Sequence, residues 1–145
     1  MSNQAEETHV AWERRQAELW DRVFQVTQDV VAVADTLSET VGYVVVRQEL
    51  VRAATAVGVE LVRANAADSA GEFGRHIKEA RIRAVESDYW LRLVYVLQQQ
   101  EDVQRDLSSV ISQYTSIISL LQRFLTHTQG EADVLSRHTK GPRVS

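Results

Sequence analysis

His76 has Glu72 four residues before it and Glu79 three residues after it. In a helix that spacing gathers the three side chains on one face, and an imidazole between two carboxylates is a possible set of divalent-metal ligands. Di-metal carboxylate bundles use two Glu-x-x-His motifs from facing helices, and only one arrangement of this kind occurs here, so no metal is assigned. The other histidines, His9, His127 and His138, are scattered along the chain. Ser109, Ser112, Ser116 and Ser119 share a helical face, but no histidine, lysine or acid stands at a matching position to activate a hydroxyl. Small residues that let another helix approach are the better account of that stripe, and of Gly58, Ala80 and Ala84. No catalytic or cofactor-binding residue is assigned.

Arg75, Lys78, Arg81 and Arg92 lie along one side of a single predicted helix, interleaved with Glu79, Glu86 and Asp88. Mixed signs describe a solvated helical face. In a symmetric oligomer each cation is repeated, so the same four residues would form a cationic belt able to meet phosphates. Tyr89 and Trp90 fit the helical pattern as core and interface anchors rather than as base-stacking platforms.

The elements that carry these residues follow from apolar spacing. Trp12, Leu19, Val23, Val26, Val30, Val33 and Leu37 form one stripe, and Trp20, Phe24, Val31 and Ala34 widen it. Leu50, Ala53, Val57, Leu61 and Ala64 define a second helix, in which Tyr43-Val44-Val45-Val46 is read as the opening turn. Phe73, Ile77, Ala80, Ala84 and Leu91 define a third, opened by a Ser69/Glu72 pair at capping-box spacing. Val103, Leu107, Val110, Tyr114, Ile117, Leu121 and Phe124 define a fourth, with Ile111, Ile118 and Leu125 beside them and Asp102 as its N-cap. The helices are placed at 10–40, 44–66, 70–98 and 102–128. Residues 1–9 and 129–145 are expected as flexible tails. The fold class is all-α, an up-down-up-down four-helix bundle. The doubled stripes on the first and last helices exceed what one bundle can bury, which points to self-association.

Composition is consistent with this. The chain has 145 residues, 44% hydrophobic and 25% charged, which suits one domain. One proline and six glycines leave long helices uninterrupted. There is no cysteine, which removes disulfides, thiolate metal sites and cysteine nucleophiles. The N-terminus lacks the basic and apolar regions of a signal peptide and no run is apolar enough to span a bilayer, so a cytoplasmic location is expected. Net charge is −4, unevenly spread: residues 1–41 carry eight acidic and three basic side chains, residues 42–93 eight basic and seven acidic. Any nucleic-acid binding must therefore come from a local patch.

The stretch from Arg52 to Leu91 resembles the four-helix-bundle proteins of bacterial ribosomal-RNA intervening sequences, a group that includes the accessory proteins of diversity-generating retroelements. That family shows an Arg-Ser-x-Thr-Ser-Ile-Gly-Ala-Asn-Ile run in helix two, matched here by Arg52-Ala53-Ala54-Thr55-Ala56-Val57-Gly58-Val59-Glu60-Leu61. Its Ala-x-x-Glu-x-x-Tyr-Trp-Leu run appears here as Lys78-Glu79-Ala80, then Ala84, Glu86 and Tyr89-Trp90-Leu91, and its Ser-x-x-Asp-Phe segment as Ser69 and Phe73. Two positions depart: Glu60 replaces the family's asparagine and Arg63 a common acidic residue, a pair that could keep a charged network there. The resemblance implies a homopentameric barrel without enzymatic activity or cofactor. For the retroelement branch it also implies binding to a reverse transcriptase and its RNA. The expected function is a non-enzymatic oligomeric adaptor that contacts RNA or DNA nonspecifically through Arg75, Lys78, Arg81 and Arg92. The alternative is a purely structural or protein-binding assembly.

Overall fold

The computed structural model describes the backbone of residues 2–139 and the side chains of residues 3–127. Four helices follow one another: α1 (Ser2–Thr36), α2 (Val41–Asn65), α3 (Ala70–Leu97) and α4 (Glu101–Thr139), with no strand among the described residues. The connections are three or four residues long, short enough that each helix must run back along its predecessor. Helices adjacent in sequence, together with α1 and α4, form the four seams of the bundle, and the diagonal pairs do not approach.

The core is the set of stripes read from the sequence. Leu19, Val23, Val26 and Val30 of α1 meet Leu50, Ala54 and Val57 of α2, Ala80, Ala84 and Leu91 of α3, and Leu107, Ile117 and Leu121 of α4 in one cluster. Each fully buried leucine or valine contributes about 1.5–3 kcal/mol relative to exposure. That contribution offsets the modest helix propensity of the valines in α1.

Helix ends differ from expectation in instructive ways. α1 begins at Ser2, where residues 1–9 were expected as a tail. The Thr8 hydroxyl donates to the Gln4 carbonyl at 2.7 Å, and His9 lies 3.2 Å from Glu13, both contacts one turn apart. α1 stops at Thr36 rather than 40, and the chain turns through 37–40 before Thr40 opens α2. The Thr40 amide donates to Ser38 Oγ there, and Gly42 already lies within α2. Tyr43-Val44-Val45-Val46 is helical, as read.

At α3 the Ser69 hydroxyl accepts from the Glu72 amide at 3.1 Å. The Glu72 carboxylate reaches back one residue further than a capping box requires and accepts from the Asp68 amide. α4 starts at Glu101, which puts Asp102 in the first turn rather than at the cap. Both acids of the first turn suit the positive end of the helix dipole. α4 then runs to Thr139, past the expected end at 128, because nothing in its polar continuation breaks a helix before Pro142. The remainder of the expected C-terminal tail, 140–145, lies outside the described residues.

At about 1.5 Å per residue α1 and α4 are roughly 50–60 Å long and the α2–α3 hairpin roughly 40 Å. The free ends of α1 and α4 therefore project past the α2–α3 loop as a two-helix extension. Trp12 closes that extension, with its ring centroid 4.5 Å from Phe124 and 4.2 Å from His127.

Candidate functional site

The histidine site is rebuilt by the fold. His76 does not turn to Glu72 or Glu79. Its Nδ1 lies 2.8 Å from Oε2 of Glu60, across the α2–α3 seam. The other Glu60 oxygen accepts from Arg63 at 2.8 Å. Both His76 and Glu60 are largely shielded, with side chains 16% and 13% exposed. Burial pushes the Glu60 carboxyl up, but the hydrogen bond from His76 and the charge of Arg63 outweigh it and hold it below its ordinary value. An ionised carboxylate only accepts, so His76 carries its proton on Nδ1. Among the described residues no three histidine, aspartate or glutamate side chains are grouped to hold a metal ion. His9 pairs with Glu13 one turn on, a pairing at i,i+4 that the sequence alone could have supplied.

The four basic residues of α3 receive different surroundings. Arg75 has Glu72 at 3.9 Å, a loose contact on an exposed face. Arg92 donates through Nε to Asp88 at 2.8 Å, so its charge is matched locally. Lys78 is exposed and makes no ion pair among the described residues. Arg81 is half-buried, with its Nε shielded from water and no acceptor in reach. At about 100° per residue, Lys78, Arg81 and Arg92 fall within roughly 60° on α3 and Arg75 stands another 60° round.

The same outer face carries exposed apolar side chains. Ile82, Val85, Tyr89 and Val96 of α3 point away from the core, and Val41, Val45, Val59 and Val62 of α2 continue the surface. Val41 and Val96, at the end where α2 begins and α3 closes, are 83% and 77% exposed. By contrast, Ile111, Ile118 and Leu125 of α4 pack against the core, as does Trp20 of α1, and Ala34 belongs to the core outright. Of the doubled stripe on α1, Phe24 and Val31 remain exposed. The surplus apolar surface that the sequence placed on the outer helices thus sits chiefly on the central hairpin. Trp90 packs against the core and Tyr89 stands outside it, the two rings edge to face at 5.1 Å.

The serine stripe faces α1. Ser112 and Ser116 line a cleft with Asp21, Arg22 and Gln25, and the Arg22 guanidinium donates to Ser116 Oγ at 3.0 Å. This makes the stripe a polar groove wall rather than a close helix contact. Gly58 likewise makes no tight approach within the hairpin: a Cβ there would lie 4.0 Å from Val23 of α1, ordinary contact. Ala80 and Ala84 are fully buried in the core.

The chain matches no protein-family model and no curated protein. Among solved structures it is similar to a protein of unknown function from the S23 ribosomal protein family of Bacteroides thetaiotaomicron, with a TM-score of 0.70 and 20% sequence identity over 77% of this chain and 98% of that one. At that identity the likeness is one of fold.

Proposed function

We propose that this chain is a non-enzymatic adaptor that works as a homo-oligomer, a pentamer by the resemblance of its central hairpin to the intervening-sequence family. The observation that carries the reading is the apolar outer face of α2 and α3. Ten large apolar side chains exposed on one hairpin of a small domain, Tyr95 and Leu97 among them, form a surface that water disfavours, and such surfaces mark association sites. The fold of the S23-family neighbour is compatible with that resemblance. In this reading the partner is a reverse transcriptase or another nucleic-acid enzyme, met in the cytoplasm. Lys78, with Arg75, Arg81 and Arg92, borders the apolar face and supplies weak, nonspecific contacts to RNA or DNA phosphates. The pairing of Arg92 with Asp88 and of Arg75 with Glu72 favours the second reading, a protein-only adaptor, because matched charges release little on meeting a phosphate.

The test is mass in solution. Light scattering at micromolar concentration is expected to give a multiple of 16.4 kDa. Val85→Lys with Val96→Lys, both exposed and therefore harmless to the core, are expected to return the monomer with helicity intact. A monomeric parent protein would end the proposal.

A further inference from the structure

Most arginines of the central hairpin are neutralised by a carboxylate: Arg47 by Glu39, Arg52 by Glu49, Arg63 by Glu60, Arg83 by Glu86. The five described arginines of the outer helices are not, and three of them share one cleft. Arg15 and Arg22 of α1 and Arg123 of α4 have no carboxylate within ion-pair distance among the described residues, and all three line one cleft of about 420 Å³ between the two helices. Ser116 and Ser119 offer hydroxyls in the same cleft, and Trp12 and Phe124 close its far end.

Register makes the arrangement specific. The hydrogen bond from Arg22 to Ser116 sets those two residues level across an antiparallel pair. Seven residues on in each direction come Arg15 and Arg123, which therefore stand at one height on opposite walls. The contact of Trp12 with Phe124 and His127 confirms the same register. Two guanidinium groups facing each other over one cleft repel, and an anion between them converts that repulsion into two charge-assisted contacts. Glu18 is the one acidic lining residue, and it pairs with none of the three arginines. A pair of the i,i+3 or i,i+4 kind with Arg15 or Arg22 would be worth only about 0.2–0.5 kcal/mol, too little to hold either arginine from a doubly charged ligand.

We propose that the α1–α4 cleft is an anion site for phosphate groups, with Arg15 and Arg123 as the clamp and Arg22, held by Ser116, as the third donor. Planar guanidinium forks suit the tetrahedral oxygens of a phosphate ester, and serine hydroxyls complete such sites. The phosphate can belong to a free polyphosphate or phosphorylated small molecule, or to a nucleic-acid backbone. The site lies on α1 and α4 and does not depend on the oligomeric adaptor reading.

Calorimetric titration of the full chain with inorganic pyrophosphate, at about 50 mM salt where phosphate contacts are strongest, tests this. Saturable binding near or below about 1 mM is expected. Arg15→Gln and Arg123→Gln should each weaken it about tenfold, and the double variant should abolish it. Arg52→Gln, on α2 and outside the cleft, should leave it unchanged, and circular dichroism should show all variants equally helical. A single-stranded oligonucleotide that competes with pyrophosphate assigns the phosphate to a nucleic-acid backbone, and one that does not compete assigns it to a small ligand. Absence of pyrophosphate binding in the parent protein overturns the proposal. So does binding that survives in the double variant, or that Arg52→Gln alone removes.

Discussion

Glu60 and His76 meet at 2.8 Å across the seam between α2 and α3, and Arg63 holds the second Glu60 oxygen at the same distance. The two positions where this chain departs from the intervening-sequence pattern, Glu60 and Arg63, thus form one network with a partner from the next helix, in which Glu60 and His76 are shielded and Arg63 is exposed. Glu60 is shared by both contacts, so removing it leaves the shielded His76 without this partner, which is the costly direction for such a network.

That network has a pH signature. The folded Glu60 carboxyl sits below its ordinary value of 4.5, so its contribution is complete above the unfolded value and is lost as pH falls through the folded one. Glu60→Gln is expected to cost about 1–2 kcal/mol in urea unfolding near pH 7, and the gap to the parent protein should narrow in acid. A gap that stays constant down to about pH 3 would refute this account.

Gly58→Ala should stabilise the protein. The position is interior to α2, where glycine is disfavoured against alanine by about 0.5–1 kcal/mol, and the added methyl meets Val23 at 4.0 Å without crowding. A rise in melting temperature of roughly 2–4 °C is expected for a chain of this size. A fall would mean that the α1–α2 seam is tighter than this spacing allows.

Tyr114 is fully buried in α4, and its hydroxyl lies against Ser87 of α3 with no partner in good hydrogen-bond geometry, while the Ser87 hydroxyl donates its own proton to the Arg83 carbonyl. Burial pushes the phenol far above its ordinary range. Tyr114→Phe removes a polar atom that the fold leaves unsatisfied, so chemical denaturation should find it neutral or up to about 1 kcal/mol more stable. A loss of more than about 2 kcal/mol would reveal a hydrogen bond to Ser87 or to an ordered water.

The α3 belt makes a separate prediction about salt. If Arg75, Lys78, Arg81 and Arg92 contact phosphates, affinity for single-stranded RNA should fall with a log–log slope near −0.7 per contact, and near −0.9 on duplex DNA. Lys78→Ala with Arg81→Ala should flatten that slope, and because Arg81 is half-buried, most of the change should come from Lys78 alone. A parent protein that binds neither RNA nor DNA at about 50 mM salt removes the belt and leaves the protein-only adaptor.

Periodicity alone determined the four helices and their core. A three-four alternation of apolar residues can be buried in only one way on a helix, so Leu19 to Leu37, Leu50 to Ala64, Ile77 to Leu91 and Leu107 to Phe124 were legible before any packing was known. Cap positions were legible where the signal is local, as at Ser69, and failed at residues 2–9 and 129–139, where a polar helix carries no apolar stripe to mark it. What pairs across a seam was not legible. Glu72 and Glu79 were the near neighbours of His76 in sequence, but Glu60 is its partner in space, because the hairpin register brings α2 alongside. The same holds for the serine stripe and for the arginine cleft, where Arg123 lies about a hundred residues along the chain from Arg15 and Arg22 and meets them only once α1 and α4 are antiparallel. Spacing fixes which residues share one helix face, and only packing decides what that face meets.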